Sequence, residues 1–264
     1  MNKELQTAMN TAKRAGEAIM EMYDGEFNTK QKDDNSPVTE ADITSQKIIF
    51  EGLKSFGYGF IGEESEKKEI SEGHCWIVDP LDRTKDFINK TDDFSVMIGL
   101  VENGKVILGI VYVLARDIFY FAEKGKGAYK KTKNQKPKKI NCSLVSELNN
   151  TTMVVSRFHL DEETKSFIDK AKIKKTLPTG SIGVKMSLIA EGKADIYITT
   201  TDKTFLWDVC SADIILQEAG GMITDINEKQ FSYKNNLIRN NYGIVATTKS
   251  LQSEVVKNLA SIGI

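Results

Sequence analysis

Cysteine is scarce in this chain: Cys75, Cys142 and Cys210 are the only three in 264 residues, far apart and without a CxxC pair. That argues against a disulfide framework and a thiolate zinc site, and it fits a reduced, cytoplasmic setting. Histidine is rarer still, with two. No run approaches the ~18 apolar residues of a membrane span. The start, Met1 to Gln6, is polar and has no apolar signal core. A net charge of -1 lacks the positive excess that would draw the chain to a nucleic acid polymer or an anionic membrane. Internal repeats and low-complexity segments are absent. What is present, 40% hydrophobic and 28% charged residues, is the composition of a soluble globular protein with one large core or two modest domains.

One run stands out from this background: Trp76-Ile77-Val78-Asp79-Pro80-Leu81-Asp82-Arg83-Thr84-Lys85-Asp86-Phe87. Three strand-forming apolar residues lead into two acids three positions apart. Pro80 lacks a backbone donor, so the strand is predicted to stop there and to turn its acids inward. Two carboxylates held this close repel each other and lose hydration unless a cation sits between them.

Around that run the chain punctuates itself. Leu5, Ala8, Ala12, Ala15 and Ile19 recur at helical spacing up to Gly25. Ser36-Pro37-Val38-Thr39-Glu40-Ala41-Asp42 is predicted to open a second helix that Gly57 ends, with Thr39 and Asp42 spaced as a capping box. Phe60 to Gly62 push toward Glu63-Glu64. Antiparallel strands follow at Phe94–Val101, Val106–Val113 and Ile118–Ala122. The lysine-rich stretch 124–139 reads as a solvated connection between two halves, because a charge run with few apolar residues cannot bury itself. Beyond it, strands at Met153–Ser156 and Asp195–Thr199 alternate with helices at Asp161–Lys172, Gly180–Glu191 and Asp208–Ala219, the pattern of an α/β layer. A last helix begins near Ser250. Asp208, at the start of its helix, can be read as an N-cap.

Glu63, Asp79 and Asp82 stand just beyond apolar strands, and Asp208 at a helix start. An all-carboxylate set in a chain with two histidines suits a hard cation such as Mg²⁺ better than Zn²⁺. Carboxylates that bind Mg²⁺ sparingly leave positions for water and a phosphate, which points to phosphoryl chemistry.

The segments Gly62-Glu63-Glu64-Ser65, Asp79-Pro80-Leu81-Asp82-Arg83-Thr84 and Trp207-Asp208 through Glu218-Ala219-Gly220-Gly221, with Pro37-Val38-Thr39 and Asp42, resemble the signature motifs of the inositol monophosphatase superfamily in order and separation. The resemblance runs from the first helix to about Asp225. Thr84-Lys85-Asp86-Phe87, Ser156-Arg157-Phe158-His159 and Lys185 look more like its 3'(2'),5'-bisphosphate nucleotidase branch.

The resemblance implies an α/β (α+β) fold, a layered α-β-α-β-α sandwich of the inositol monophosphatase/fructose-1,6-bisphosphatase type. It also implies an N-terminal α+β half (1–139) that carries most metal ligands and a C-terminal α/β half (140–264) that carries Asp208. By position, Glu63, Asp79 and the Leu81 carbonyl would hold one Mg²⁺ and Asp79, Asp82 and Asp208 a second, with two or three per active site. Asp42, Glu63 and Thr84 would be catalytic. Asp82, Arg83, Thr84, Ser156, Arg157, His159, Ser181, Lys185 and Asp208 would bind substrate.

The implied activity is removal of the 3'-phosphate from adenosine 3',5'-bisphosphate, with lithium sensitivity and a place in sulfur metabolism. An inositol or sugar monophosphatase and an inactive phosphate-ligand-binding protein are the alternatives. Partners are expected to be a small phosphorylated substrate, with no membrane or nucleic acid polymer, in a monomer or homodimer. Two positions depart from the family pattern. Arg83 stands where the family most often has Gly, and a helical backbone with a serviceable N–H is the conformation expected of it. Gly180 and Ser181 sit one place off the usual GSxxK register.

Overall fold

The computed structural model describes residues 2–25, 27, 29–31, 37–65, 73–158, 160–201, 204–234, 239–240 and 242–264. The chain opens with α1 (Lys3–Asp24), a short hairpin of β1 (Thr29–Gln31) and β2 (Pro37–Thr39), and α2 (Glu40–Leu53). It continues through β3 (Gly59–Gly62), β4 (His74–Asp82), the short α3 (Thr84–Ile88), β5 (Ser95–Glu102), β6 (Lys105–Val113), β7 (Ile118–Glu123), β8 (Ala128–Thr132) and β9 (Lys138–Ile140). These seven strands form one sheet in sequence order, antiparallel except for the parallel pair β3–β4.

Beyond them come β10 (Thr152–Ser156), α4 (Glu162–Ala171), β11 (Lys175–Thr179), α5 (Ile182–Ala190), β12 (Ile196–Thr199), β13 (Thr204–Phe205), α6 (Leu206–Glu218), β14 (Gly221–Thr224), β15 (Arg239–Asn240), β16 (Ile244–Thr248) and α7 (Gln252–Ser261). Five of these strands make a mixed sheet of order β11-β10-β12-β16-β14, and β13 pairs with β15.

Both faces of the large sheet are covered, which is why β4 to β6 read as nearly continuous apolar runs. Trp76, Val78, Val96, Ile98 and Ile110 face α1 and α2, whose Leu5, Ala8, Ala12, Ala15, Ile19 and Ile49 meet them. The alternate residues Ile77, Met97 and Val111 point the other way, into a cluster with Val184 and Met186 of α5 and Val209 and Ile214 of α6. That same cluster takes Tyr197 and Ala246 from the smaller sheet. The outer face of the smaller sheet, through Met153, Ile196 and Val245, packs on Phe167 of α4 and on Val255 and Leu259 of α7. The result is five layers, α-β-α-β-α, as the resemblance implies.

The expected solvated linker at 124–139 is corrected. Its residues build β8 and β9, the far edge of the large sheet. Alternation resolves the apparent conflict. Ala128 and Ile140 are buried, whereas Lys131, Lys138 and Lys139 remain exposed and Lys130 pairs with Glu191 at 2.7 Å. Lysines on an edge strand also discourage pairing with other chains.

Two glycines set how closely α6 lies on the sheet. Gly99 and Gly109 are cross-strand partners in β5 and β6. A Cβ on Gly99 would meet Cys210 Sγ, and one on Gly109 would run into the Ser211 carbonyl. The backbone of α6 has no flexible atom to yield there. Gly109→Ala is therefore expected to destabilise the fold by about 1–3 kcal/mol in urea denaturation.

Candidate active site

Asp79 and Asp82 come from one strand that does not stop at Pro80. β4 continues to Asp82, with Asp79 opposite Met97 and Asp82 opposite Ser95, so three steps on β4 match two on β5. This is a β-bulge, one of the few places inside a sheet where a proline fits. Its consequence is directional. In a regular strand, residues three apart point to opposite faces, and one extra residue restores them to the same side. The expected strand stop is thus corrected to a bulge.

The other acids arrive by packing. β3 runs parallel to β4 with Gly62 beside Val78, and the Glu63 N–H continues the ladder to the Val78 carbonyl at 3.1 Å. Glu63 is thereby set beside Asp79. Asp208 is the third residue of α6, not its N-cap, and its Oδ2 accepts from the Phe205 N–H at 2.7 Å. Glu63, Asp79, Leu81, Asp82, Arg83, Thr84, Lys85 and Asp208, with Pro37 and Ile182, line one cavity of about 230 Å³.

Asp79 and Asp82 are 1% and 4% exposed. The Asp79 carboxyl is pushed well above the usual range, first by burial and then by the charges of Glu63, Asp82 and Asp208, against one Leu81 N–H at 3.0 Å. Asp208 is raised by burial and by Glu63 and Asp82. Asp82 is raised by burial, opposed by the Ser181 hydroxyl and by the Gly183 N–H at 3.0 Å. Acids that repel this strongly in a buried pocket would be stabilised by a cation placed among them.

The side chains facing the pocket that can ligate an ion, Glu63, Asp79, Asp82, Thr84 and Asp208, all offer carboxylate or hydroxyl oxygens, which fits a hard divalent ion, while Arg83 and Lys85 line it as cations. Among the described residues no group of three or more Asp, Glu, His or Cys side chains is arranged as it would be to hold a metal ion.

Asp42 carries two duties at once. Its Oδ2 accepts from the N–H and hydroxyl of Thr39, both at 2.7 Å, closing the capping box of α2. Its Oδ1 accepts from Thr84 Oγ1 at 2.9 Å. Burial raises its pKa, and the Thr39 and Thr84 bonds oppose the rise.

The substrate-side residues are more dispersed. Ser181 is fully buried as the N-cap of α5, bonded to Asp82 and at 2.9 Å from Ser95 Oγ. It steadies Asp82 from a position with no exposed surface. Lys185 is 1% exposed and donates to Ser156 Oγ at 3.0 Å. Burial, with Arg83 second, lowers its pKa to about 7. Arg157 pairs with Asp93 and lies 3.8 Å from Asp86. His159, like Ser36 ahead of the second helix, lies outside the described residues.

Arg83 overturns its expected helical backbone. It sits at φ 74° and ψ 57°, the left-handed hinge between β4 and α3. The chain must reverse from a bulged strand into a helix within one residue, and glycine makes that turn without strain. An arginine there costs roughly 1 kcal/mol or more. α3 is only five residues long, so its dipole adds little. Sequence reasoning missed Asp86, Asp93 and Arg116. Asp86 lies inside the central motif, but nothing in the sequence links Arg116 to it.

The sequence model of the inositol monophosphatase family matches residues 1–263. The chain belongs to the inositol monophosphatase family. The match extends through the last helix, past the limit near Asp225 read from the motifs. Among members of the family, the 3'(2'),5'-bisphosphate nucleotidase CysQ of Salmonella typhimurium is 34% identical over 236 residues, covering 87% of this chain and 93% of that protein. CysQ of Escherichia coli is 35% identical, over 84% and 90%. In structure, CysQ from Bacteroides thetaiotaomicron superposes with a TM-score of 0.77 at 28% identity, covering 93% and 97% of the two chains. A Thermotoga maritima IMPase reaches 0.84 at 25% identity, over 99% and 98%.

The raised carboxyls give a linkage prediction. Without a cation, the folded chain holds protons that the unfolded chain releases near pH 4, so its stability falls as pH rises through the raised values of Asp79 and Asp208. A divalent ion that binds the folded, ionised acids would restore what was lost. The Tm gain on adding Mg²⁺ to chelator-treated protein should be larger at pH 7 than at pH 5. Asp208→Asn should raise the Tm of the chelated protein and shrink that gain.

Proposed function

We propose that this chain is a Mg²⁺-dependent phosphatase that removes the 3'-phosphate from adenosine 3',5'-bisphosphate. The observation that carries the proposal is the convergence of four acids from three separate stretches of sequence on one pocket with only oxygen ligands. Relatives that are named bisphosphate nucleotidases and match most of the chain's length support the substrate class.

Glu63, Asp79 and the Leu81 carbonyl would hold one Mg²⁺, and Asp79, Asp82 and Asp208 a second. Bound there, the ions would make water more acidic and offset charge on the attacking and leaving oxygens. The rest falls to the chain's own groups. Thr84 gives its hydroxyl proton to Asp42 Oδ1, so its lone pairs are left to accept a hydrogen bond from the attacking water. Asp42 is anchored by its other oxygen to the start of α2, which fixes the direction in which Thr84 accepts. Because burial makes Asp42 more basic than an ordinary carboxylate, the pair can take up a proton as the water attacks. Glu63, at the same wall, helps orient that water. Arg157 and Lys185 place positive charge, and Ser156 a hydroxyl, on the side of the cleft built by β10 and α5, where a second phosphate would rest.

With Mg²⁺, phosphate release from adenosine 3',5'-bisphosphate should exceed release from inositol 1-phosphate in a side-by-side assay. The opposite order would move the assignment to an inositol phosphatase. Asp82→Asn should lower turnover by about 100-fold or more with the circular dichroism spectrum preserved. Wild-type turnover in that variant would reject the two-ion assignment.

A further inference from the structure

An arginine in a left-handed turn that glycine would fill without strain raises the question of what its side chain contributes. Arg83 lines the acid pocket. Its Nε lies 3.4 Å from Asp86 Oδ2, and among the described residues neither buried atom has a hydrogen-bond partner. Asp86 is fully buried, and its Oδ1 accepts from Thr91 Oγ1 at 2.5 Å and faces Arg157 Nε at 3.8 Å. Arg157 goes on to Asp93, and Asp93 to Arg116.

Guanidinium and carboxylate alternate along this chain, from Arg83 at the pocket to Arg116 at the surface. Side-chain exposure rises outward from 28% through 34% to 43% at the three arginines. Within the chain three cations face two anions, so one positive charge is left over, although Arg83 also acts on Asp82 and Asp208 of the acid floor. Lys185 adds to the surplus from behind, close enough that Arg83 is the largest charge acting on it.

The cavity therefore has an acid floor and, where Arg83 and Lys85 line it, a cationic wall, with Arg157 and Arg116 behind Arg83. The floor takes the phosphate that is cleaved. The wall has the chemistry of a site for a second, separate anion, and a planar guanidinium ion-paired through Nε with a buried carboxylate gives up less freedom in binding one than a free side chain would.

We propose that Arg83, braced through Asp86 against Arg157, is the residue that selects a doubly phosphorylated substrate by holding its second phosphate. This inference rests on the phosphatase reading above. Asp86 is then a positioning residue, since it sets the direction of both guanidinium groups without touching the ligand.

The test compares adenosine 3',5'-bisphosphate with adenosine 3'-monophosphate on the Mg²⁺-loaded enzyme and its Arg83→Met and Arg83→Gly variants. Arg83→Met removes the charge and keeps the strained backbone; Arg83→Gly removes both. The ratio of kcat/KM for bisphosphate over monophosphate should fall about tenfold or more in both variants, mainly through KM. Only Arg83→Gly should gain Tm, by about 2–4 °C. Asp86→Asn should raise KM for the bisphosphate and leave its kcat in place.

A ratio unchanged in Arg83→Met overturns the assignment to Arg83 while the phosphatase reading stands. An equal loss on both substrates also overturns it, because the side chain would then act on the cleaved group. A wild-type enzyme with no preference for the bisphosphate overturns the assignment to Arg83 and leaves the phosphatase reading standing, whereas no phosphate release from either substrate overturns both. A fall in kcat alike on both substrates in Asp86→Asn overturns the positioning role.

Discussion

Repulsion among buried carboxylates is the constraint from which the rest of this molecule follows. Asp79 feels Glu63, Asp82 and Asp208 in a place where burial already disfavours charge. The fold offsets that cost only in part, through the Leu81 N–H on Asp79 and the Phe205 N–H and Arg83 charge on Asp208. Asp82 has fuller support, from Ser181 and Gly183. The other acids are left facing a shared cavity, and an arrangement so costly when empty is one that gains most from a divalent ion.

The architecture reads as the means of enforcing that arrangement. The bulge at Pro80 brings two acids of one strand to one side, and the parallel β3 places Glu63 next to them. α6 can deliver Asp208 only because Gly99 and Gly109 let its backbone lie against β5 and β6. α5 arrives beside it and caps Asp82 through Ser181. Asp42 links the cap of α2 to Thr84, so the opening of a helix and the orientation of a site hydroxyl depend on one carboxylate. Each device is local, and each fails to make a site alone. The cationic chain from Arg83 to Arg116 lies beside this centre and gives the cavity two electrical sides.

Much of this was legible from residues alone. Helical spacing located α1 and α2, β-branched runs located β4 to β7, and the acids stood out because each followed an apolar run or opened a helix. What stayed hidden depended on tertiary context. Pro80 reads as a terminator in one dimension, and only the pairing with β5 makes it a bulge. The lysines of 124–139 look solvated because most are; the two small apolar residues that tie them into a sheet edge are easily outvoted. Arg83 looks helical by residue type, yet the geometry of the strand-to-helix turn overrides that preference. Ser181 and Lys185 could be placed near the site by motif, but burial, which no motif records, turns the first toward Asp82 and the second toward Ser156.

The most direct test of the central claim is anomalous diffraction from crystals grown with Mn²⁺ and inorganic phosphate. The account predicts anomalous peaks inside the cavity, one shared by Glu63 and Asp79 and one by Asp79, Asp82 and Asp208, with phosphate bridging them. Manganese density confined to the protein surface, with the four acids apart or neutralised by lysine and arginine, would contradict it.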